Sequence, residues 1–176
     1  MVGMGTTRTA AIAAFAATGG LLLAACGGSK GAPAPAPAAP SQSAALAGFD
    51  ACKVMTQDDL QTFGFKSGDQ TPVNQEGEVG CTWTGDQFTL TLTKSNDGLS
   101  KWESQRGNFA QLQPNQVGSR KGLSGIVAGG QGNGVCREMV DAGGGSVIVQ
   151  LDNFNSGDPC AKALDIAQKI EPRLPK

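Results

Sequence analysis

The chain has 176 residues, with 14 Lys and Arg against 15 Asp and Glu for a formal net charge of −1; that is long enough for one domain with a core but not two, and it excludes a basic nucleic-acid footprint. Histidine and tyrosine are both absent, which removes the commonest general base and the commonest metal ligand together. Its 26 glycines and 9 prolines gather in loops and one linker, the pattern of a folded domain with flexible attachments and not of a disordered chain.

In chain order, a weakly positive start with Arg8 is followed by an alanine-rich apolar run from Ala10 to Ala25, broken by Thr18, Gly19 and Gly20. The run is too short and too interrupted for a membrane span and fits a secretory signal over residues 1–25. It ends in Leu23-Ala24-Ala25-Cys26, which resembles a bacterial lipobox. There the cysteine thiol receives diacylglycerol and the peptide is cut just before it. Cys26 is therefore the expected lipidation site and membrane contact. A single acyl chain would hold only at roughly 10⁴ M⁻¹, so stable anchoring needs two or three. The alternative, an ordinary signal with an incidental cysteine, leaves the placing of the tetrapeptide unexplained.

Residues 26–47 read as a Pro/Ala-rich linker. Its alternating Ala-Pro favours extended polyproline II and cannot bury a core. The stretch Pro33–Pro40 would reach about 25 Å at ~3.1 Å per residue. The folded domain is expected over residues 48–176.

Within it, "VMTQDDLQTFGF" starts a helix: Thr56 caps, Asp59 completes a capping box, Met55 and Leu60 form a hydrophobic staple, and Gly64 stops the helix. Asp58 and Asp59 are adjacent and point to different sides, so they serve the helix end and not an acid pair. "CTWTGDQFTLTLTKS" predicts a hairpin turning at Gly85-Asp86, with Phe88, Leu90 and Leu92 on one face and Thr89, Thr91 and Thr93 on the other. Cys81 and Trp83 point inward. "GLSKWESQRGNFAQL" reads as a helix with Leu99, Trp102, Phe109 and Leu112 as a broken apolar stripe and Ser100 with Glu103 as a second capping box. Gly107 inside it costs about 1 kcal/mol.

Three strands follow: a short one at Ile126-Val127-Ala128, then "VCREMVDA" and "SVIVQLDN" around Gly143-Gly144-Gly145. The glycine-rich 129–134 stretch lies between strands, with no helix or lysine after it, and reads as a connection and not a phosphate cradle. "DPCAKALDIAQKIEPRLP" is the last helix, capped by Asp158, with Pro159 in its first turn and Cys160, Ala163, Leu164, Ala167 and Ile170 on one face. Pro172 ends or kinks it. The expected class is α+β: an antiparallel sheet of about five strands packed against about three helices.

Four cysteines lie in this domain: Cys52, Cys81, Cys136 and Cys160. An even count in an exported domain reads as two disulfides, with three connectivities open. Cys52–Cys81 with Cys136–Cys160 is favoured, because each pair joins the start of a helix to a strand, one pair in each half. A four-cysteine zinc site would want a C-x-x-C knuckle, and none exists.

The segments "FDAC", "CTW", "GNGVC" and the closing "DPCAKALDIAQKIEPRLP", together with the lipobox and the Pro/Ala linker, resemble an actinobacterial lipoprotein family. It is the one catalogued as domain of unknown function 3558. The likeness covers most of Phe49 to Pro175; Asp50-Ala51-Cys52 departs from the Asp-Pro-Cys form at the first site. It implies a surface lipoprotein with paired cysteines and carries no chemistry with it.

No G-x-S-x-G elbow, histidine or metal spacing is present. Ser29-Lys30 falls in the linker and Ser100-Lys101 on an exposed helical turn. The sequence therefore gives no catalytic residue, metal or cofactor. The expectation is a non-enzymatic, monomeric binding or interaction module at the extracytoplasmic face of the cell membrane, with a protein, glycan or lipid partner and no nucleic acid. A carrier of an apolar envelope ligand and a hydrolase without a recognisable motif are the alternatives.

Overall fold

Alternation builds the sheet. In "FTLTLTKS" apolar and hydroxyl side chains change places at every residue, which gives a strand one buried and one open face. The computed structural model describes residues 46–129, 134–154 and 157–176. Its strands are β1 (Thr71–Gln75), β2 (Glu78–Thr84), β3 (Phe88–Ser95), β4 (Phe109–Val117), β5 (Arg120–Val127), β6 (Val135–Asp141) and β7 (Ser146–Asn153); its α-helices are α1 (Gln57–Thr62), α2 (Leu99–Ser104) and α3 (Pro159–Ile170). The strands form one seven-stranded sheet in the order β1-β2-β3-β7-β6-β5-β4. Every neighbouring pair is antiparallel. The sheet is thus two meanders, β1–β3 and β4–β7, joined where their last strands pair.

The α+β class and three helices match the sequence reading, but five strands is a correction to seven. The strand β1 was missed: it is an exposed edge with Pro72 in it, and proline and polar residues mask the strand signal. Phe109 and Leu112, expected on a helix, lie on β4. The helix stops at Ser104 and a 3₁₀ turn over Arg106–Asn108 follows. Gly107 and the edge proline Pro114 outweigh the apolar spacing there. Gly98, not Ser100, is the N-cap of α2, with no side-chain cap bond. Instead of a short segment at 126–128, β5 runs over eight residues.

Both outer strands carry a proline, Pro72 on β1 and Pro114 on β4. Without an N–H, proline blunts an edge that would otherwise recruit another strand. Gly80 on β2 is required by close packing: a Cβ there would lie 1.9 Å from the Leu92 carbonyl oxygen.

The local signals hold elsewhere. Thr56 and Asp59 form the reciprocal capping box of α1, and Gly64 leaves it at φ 83°. Asp158 accepts from the Cys160 and Ala161 amides at the start of α3. Its buried face is Pro159, Ala163, Ile166, Ala167 and Ile170; Ile166 joins it, and Leu164 sits only half-buried. This helix lies across β6 and β7. Its face packs with Trp83, Leu90, Leu92, Val149 and Leu151 into the main core, which also takes in Leu46. Leu46 falls two residues before the expected domain start. Lys94 Nζ holds that entering segment by donating to the carbonyls of Leu46 and Phe49. At the other terminus Arg120 pairs with Glu171 and donates to the carbonyls of Asp141, Leu174 and Pro175.

Disulfides join Cys52 to Cys81 and Cys136 to Cys160, each with a Cα–Cα distance of 5.1 Å. The first ties the turn before α1 to β2. The second ties β6 to the first turn of α3.

A carboxyl is buried in the α3 face of the sheet. Glu138 on β6 is fully buried. Asn115 Nδ2 donates to its Oε1, while Oε2 and Asn115 Oδ1 have no partner among the described residues. Burial pushes its carboxyl up to about 7, against the lowering effect of hydrogen bonds from Asn115 and Ser124.

Two predictions follow from this arrangement. The chain segments closed by the disulfides are similar, with separations of 29 and 24, so loop-closure entropy assigns each roughly 3–4 kcal/mol. Urea unfolding of C52A/C81A and of C136A/C160A is expected to show losses equal to within about 0.5 kcal/mol; a much larger gap would mean that native packing, not chain entropy, sets the effect. Glu138 titrates higher folded than unfolded, so the unfolded state releases its proton first. Its contribution is complete below about pH 4.5, falls as pH rises to about 7, and is flat above. The full fall is on the order of 3 kcal/mol. The acid side is separate, because Arg173 holds Asp59 far below the usual carboxylate range, and that stability is lost only below about pH 4. Unfolding measured from pH 4.5 to 8 is expected to show the fall in the native chain and a flat profile in E138Q.

Candidate functional site

The two faces of the sheet are covered unequally. On the α3 face, α1, α3 and the chain ends cover the strands. On the opposite face only α2 packs, and it is six residues long. Trp102 from α2 is buried with Leu112, Leu123, Met139 and Ile148 over the β4–β7 half. Its indole N–H donates to Ser146 Oγ at 3.0 Å, and that hydroxyl donates to the Asp97 carbonyl at 2.7 Å. The helix is fixed, and beyond it the β1–β3 half of the face has no cover among the described residues.

The open part of this face, from β1 across to β7, β6 and the end of β5, is a cleft of about 440 Å³. A smaller lobe of about 220 Å³ runs under Trp102 and Phe109. The two lobes share Glu76, Glu78, Val127 and Arg137. The floor is one cross-strand row: Thr82 pairs with Thr91, Thr91 with Gln150, and Gln150 with Arg137. Four strands thus present a hydroxyl, a hydroxyl, an amide and a guanidinium side by side. Thr82 and Thr91 hydroxyls are 2.9 Å apart, and Gln150 Nε2 donates to Asp152 Oδ2 at 3.1 Å.

Arg137 stands where the lobes meet. Its guanidinium donates to Glu78 Oε2 and lies 5.1 Å from the centre of the Trp102 ring, within cation–π range. Thr93 Oγ1 donates to the same Glu78 oxygen at 3.1 Å. The Arg137 and Glu78 side chains are 16% and 15% exposed, so the pair is partly desolvated and stronger than a surface pair. Arg137 Nε is buried and finds no acceptor among the described residues.

Of the residues singled out in the sequence, Cys26 lies outside the described residues, as does most of the 129–134 loop. Cys52, Cys81, Cys136 and Cys160 hold covers to the sheet on the α3 face, away from the cleft. Ser100 is exposed on α2 and Lys101 is ion-paired with Asp97. The sequence reading named no ligand residue. The one available signal was Thr89, Thr91 and Thr93 on the face opposite the core. Among the described residues no cluster of His, Cys, Asp or Glu is large enough to hold a metal ion, and no helix is long and apolar enough to cross a membrane.

No curated protein and no solved structure matches the chain. One family model does, over residues 21–173. The span takes in Cys26, all four disulfide cysteines and every strand of the sheet, so the chain belongs to the family described as protein of unknown function (DUF3558).

Proposed function

We propose that this chain is a lipid-anchored, extracytoplasmic binding module of the cell envelope, which holds a polar ligand in the cleft beside α2. The observation that carries the binding role is the cleft itself: a half-covered sheet face floored by Thr82, Thr91, Gln150 and Arg137. Concave sites with a few convergent polar groups are where ligands bind. A sheet face left open for no purpose would more simply be a solvated charged surface. The lining supports a polar ligand over an apolar one, because hydroxyl, amide and charged groups dominate it. A binding role needs no catalytic constellation, which suits a site built without a nucleophile–base pair.

The anchor reading rests on the sequence. Leu23-Ala24-Ala25-Cys26 ends an apolar run and a proline-alanine spacer follows. In this reading the thiol of Cys26 carries diacylglycerol, residues 1–25 are removed, and the spacer sets the domain away from the membrane.

Two experiments test these halves separately. Metabolic labelling with palmitate is expected to mark the native chain and not C26A, and C26A is expected to leave the membrane fraction. Equal labelling of both would remove the anchor from Cys26. For the cleft, a photo-crosslinking residue at Thr91 is expected to trap a defined adduct in living cells, whereas one at Gln168, exposed on α3, traps none. Equal yields at both positions, or none at Thr91, would move binding away from the cleft.

A further inference from the structure

We infer that Glu138 is a proton-operated clamp on the outer strand β4: with its proton on, it holds β4 to the sheet through Asn115, and when the proton leaves to water the stretch of β4 around Asn115 opens. The bridge is a matter of register. Asn115 pairs with Gly122 of β5, and Glu138 of β6 pairs with Ser124, two residues further on. The Asn115 side chain therefore crosses the whole of β5 to donate from Nδ2 to Glu138 Oε1. A glycine keeps that path clear, because a Cβ at residue 122 would overlap Asn115 Oδ1. An edge strand with a single neighbour is thus tied to the strand beyond that neighbour.

The balance of donors shows what the proton does. An ionised carboxyl only accepts, and a protonated one also donates. With Glu138 ionised, its Oε2 and Asn115 Oδ1 are buried acceptors without a donor among the described residues. A proton on the carboxyl adds the donor that this cluster lacks and takes a charge out of a fully buried position. The elements packed around it supply no free cation. The buried face of α3 is Pro159, Ala163, Ile166, Ala167 and Ile170, all apolar, with Lys162, Asp165 and Lys169 outside it. Asp158 at its N-cap has the same sign as Glu138. From β7 the cross-strand neighbour is Val149. From β5 come Ser124 and, further along the same face, Arg120, which Glu171 pairs. Arg137, next in the chain, is on the other face with Glu78. Burial accordingly pushes the Glu138 carboxyl up to about 7, which puts the change near neutral pH.

Water has a way in. A pocket of about 350 Å³ opens between β4, β5 and the start of α3, with Gln111, Gln113, Asn115, Ser124 and Asp158 in its wall. Asn115 and Ser124, the polar neighbours of Glu138, are thus both its company and the wall of that pocket. Gln111 and Gln113 are exposed, because α3 lies mainly across β6 and β7. A charge on Glu138 is therefore hydrated at least cost by displacing β4, the strand with one neighbour and little cover. Opening replaces an edge blunted by Pro114 with β5, a strand that contains no proline.

The test is native-state hydrogen exchange on the full-length chain in detergent, at urea concentrations below the unfolding midpoint, with rates corrected for the intrinsic effect of pH. The β4 stretch 113–117 is expected to open with a shallow urea dependence, and its protection to fall roughly tenfold or more from pH 5 to pH 8. Strand β3 is expected to exchange only with the steep urea dependence of global unfolding. E138Q is expected to abolish the pH dependence on β4. N115A is expected to bring β4 protection at pH 5 down to about the native value at pH 8, while β3 keeps its steep dependence. Exchange of β4 with the same urea dependence and free energy as β3 would mean that Glu138 acts on global unfolding alone, and the clamp falls. A loss of β4 protection that E138Q retains, or full protection of β4 in N115A at pH 5, would overturn it equally.

Discussion

The pairing of β3 with β7 is the constraint on which the rest depends. The eight residues of β3 pair with the eight of β7, from Phe88 with Asn153 to Ser95 with Ser146. Everything else in the sheet is local: within each meander, neighbouring strands are consecutive in the chain. This ladder brings together segments separated by α2 and three strands, so its loop-closure cost is the largest in the sheet. The disulfides do not share that load. Cys52–Cys81 lies within the first half and Cys136–Cys160 within the second. The two halves are held by the β3–β7 hydrogen bonds and by the apolar side chains that the ladder lines up on the α3 face, Leu90, Leu92, Val149 and Leu151. The same register aligns Thr91 with Gln150 on the other face. One ladder therefore sets both the core and the floor of the cleft.

Unequal cover gives that floor its use. A seven-stranded sheet needs apolar cover on both faces unless one face is polar. Here α3 and the chain ends cover one face, and α2 is long enough to cover only half of the other. Arg137 marks the boundary. On one side it lies against the Trp102 ring, and on the other it reaches Glu78 at the rim of the open cleft. Its stem and ring contact close the apolar cluster under α2, while its charge belongs to the open half. The side chain that ends the core thus begins the site.

Much of the local structure was legible because its causes are local. The Thr56–Asp59 capping box, Asp158 ahead of Pro159, and the turns at Gly85-Asp86 and Gly143-Gly144-Gly145 are each settled by a few neighbouring residues. Where the reading failed, two local signals conflicted. In "GNFAQLQPNQV" the spacing of Phe109 and Leu112 suits a helix, but Gly107 and Pro114 suit its absence, and pairing with β5 decided for a strand. In "TPVNQ" almost nothing is apolar; β1 exists because β2 offers it a ladder. The sheet came out two strands short for that reason, while its class did not. The cleft was hidden for a deeper reason. Thr82, Thr91, Arg137 and Gln150 meet only through the register of four strands, and no window of sequence contains them all. Only the threonine face of β3, left over once the core face was assigned, pointed that way.

Adjacent residues on β6 show how far register governs chemistry. Arg137 and Glu138 are neighbours in the chain, and the pleat sends them to opposite faces. Arg137 emerges where cover ends, keeps contact with water, and finds a carboxylate and an aromatic ring. Glu138 points beneath α3, where Asn115 and Ser124 are its polar company. Two neighbouring ionisable groups of opposite sign can turn toward each other on a loop. On a strand they are held apart by the sheet itself, so each must be answered by its own face. The open face answers Arg137 with the carboxylate of Glu78. Under the closed face no cation pairs with Glu138 among the described residues, and the buried carboxyl responds by holding its proton to higher pH. A one-residue slip of β6 would exchange the two, placing a guanidinium under α3 and a carboxylate against Trp102. The cost of that exchange on both faces at once is a reason for the strand to keep its register, and with it the position of Arg137 at the mouth of the cleft.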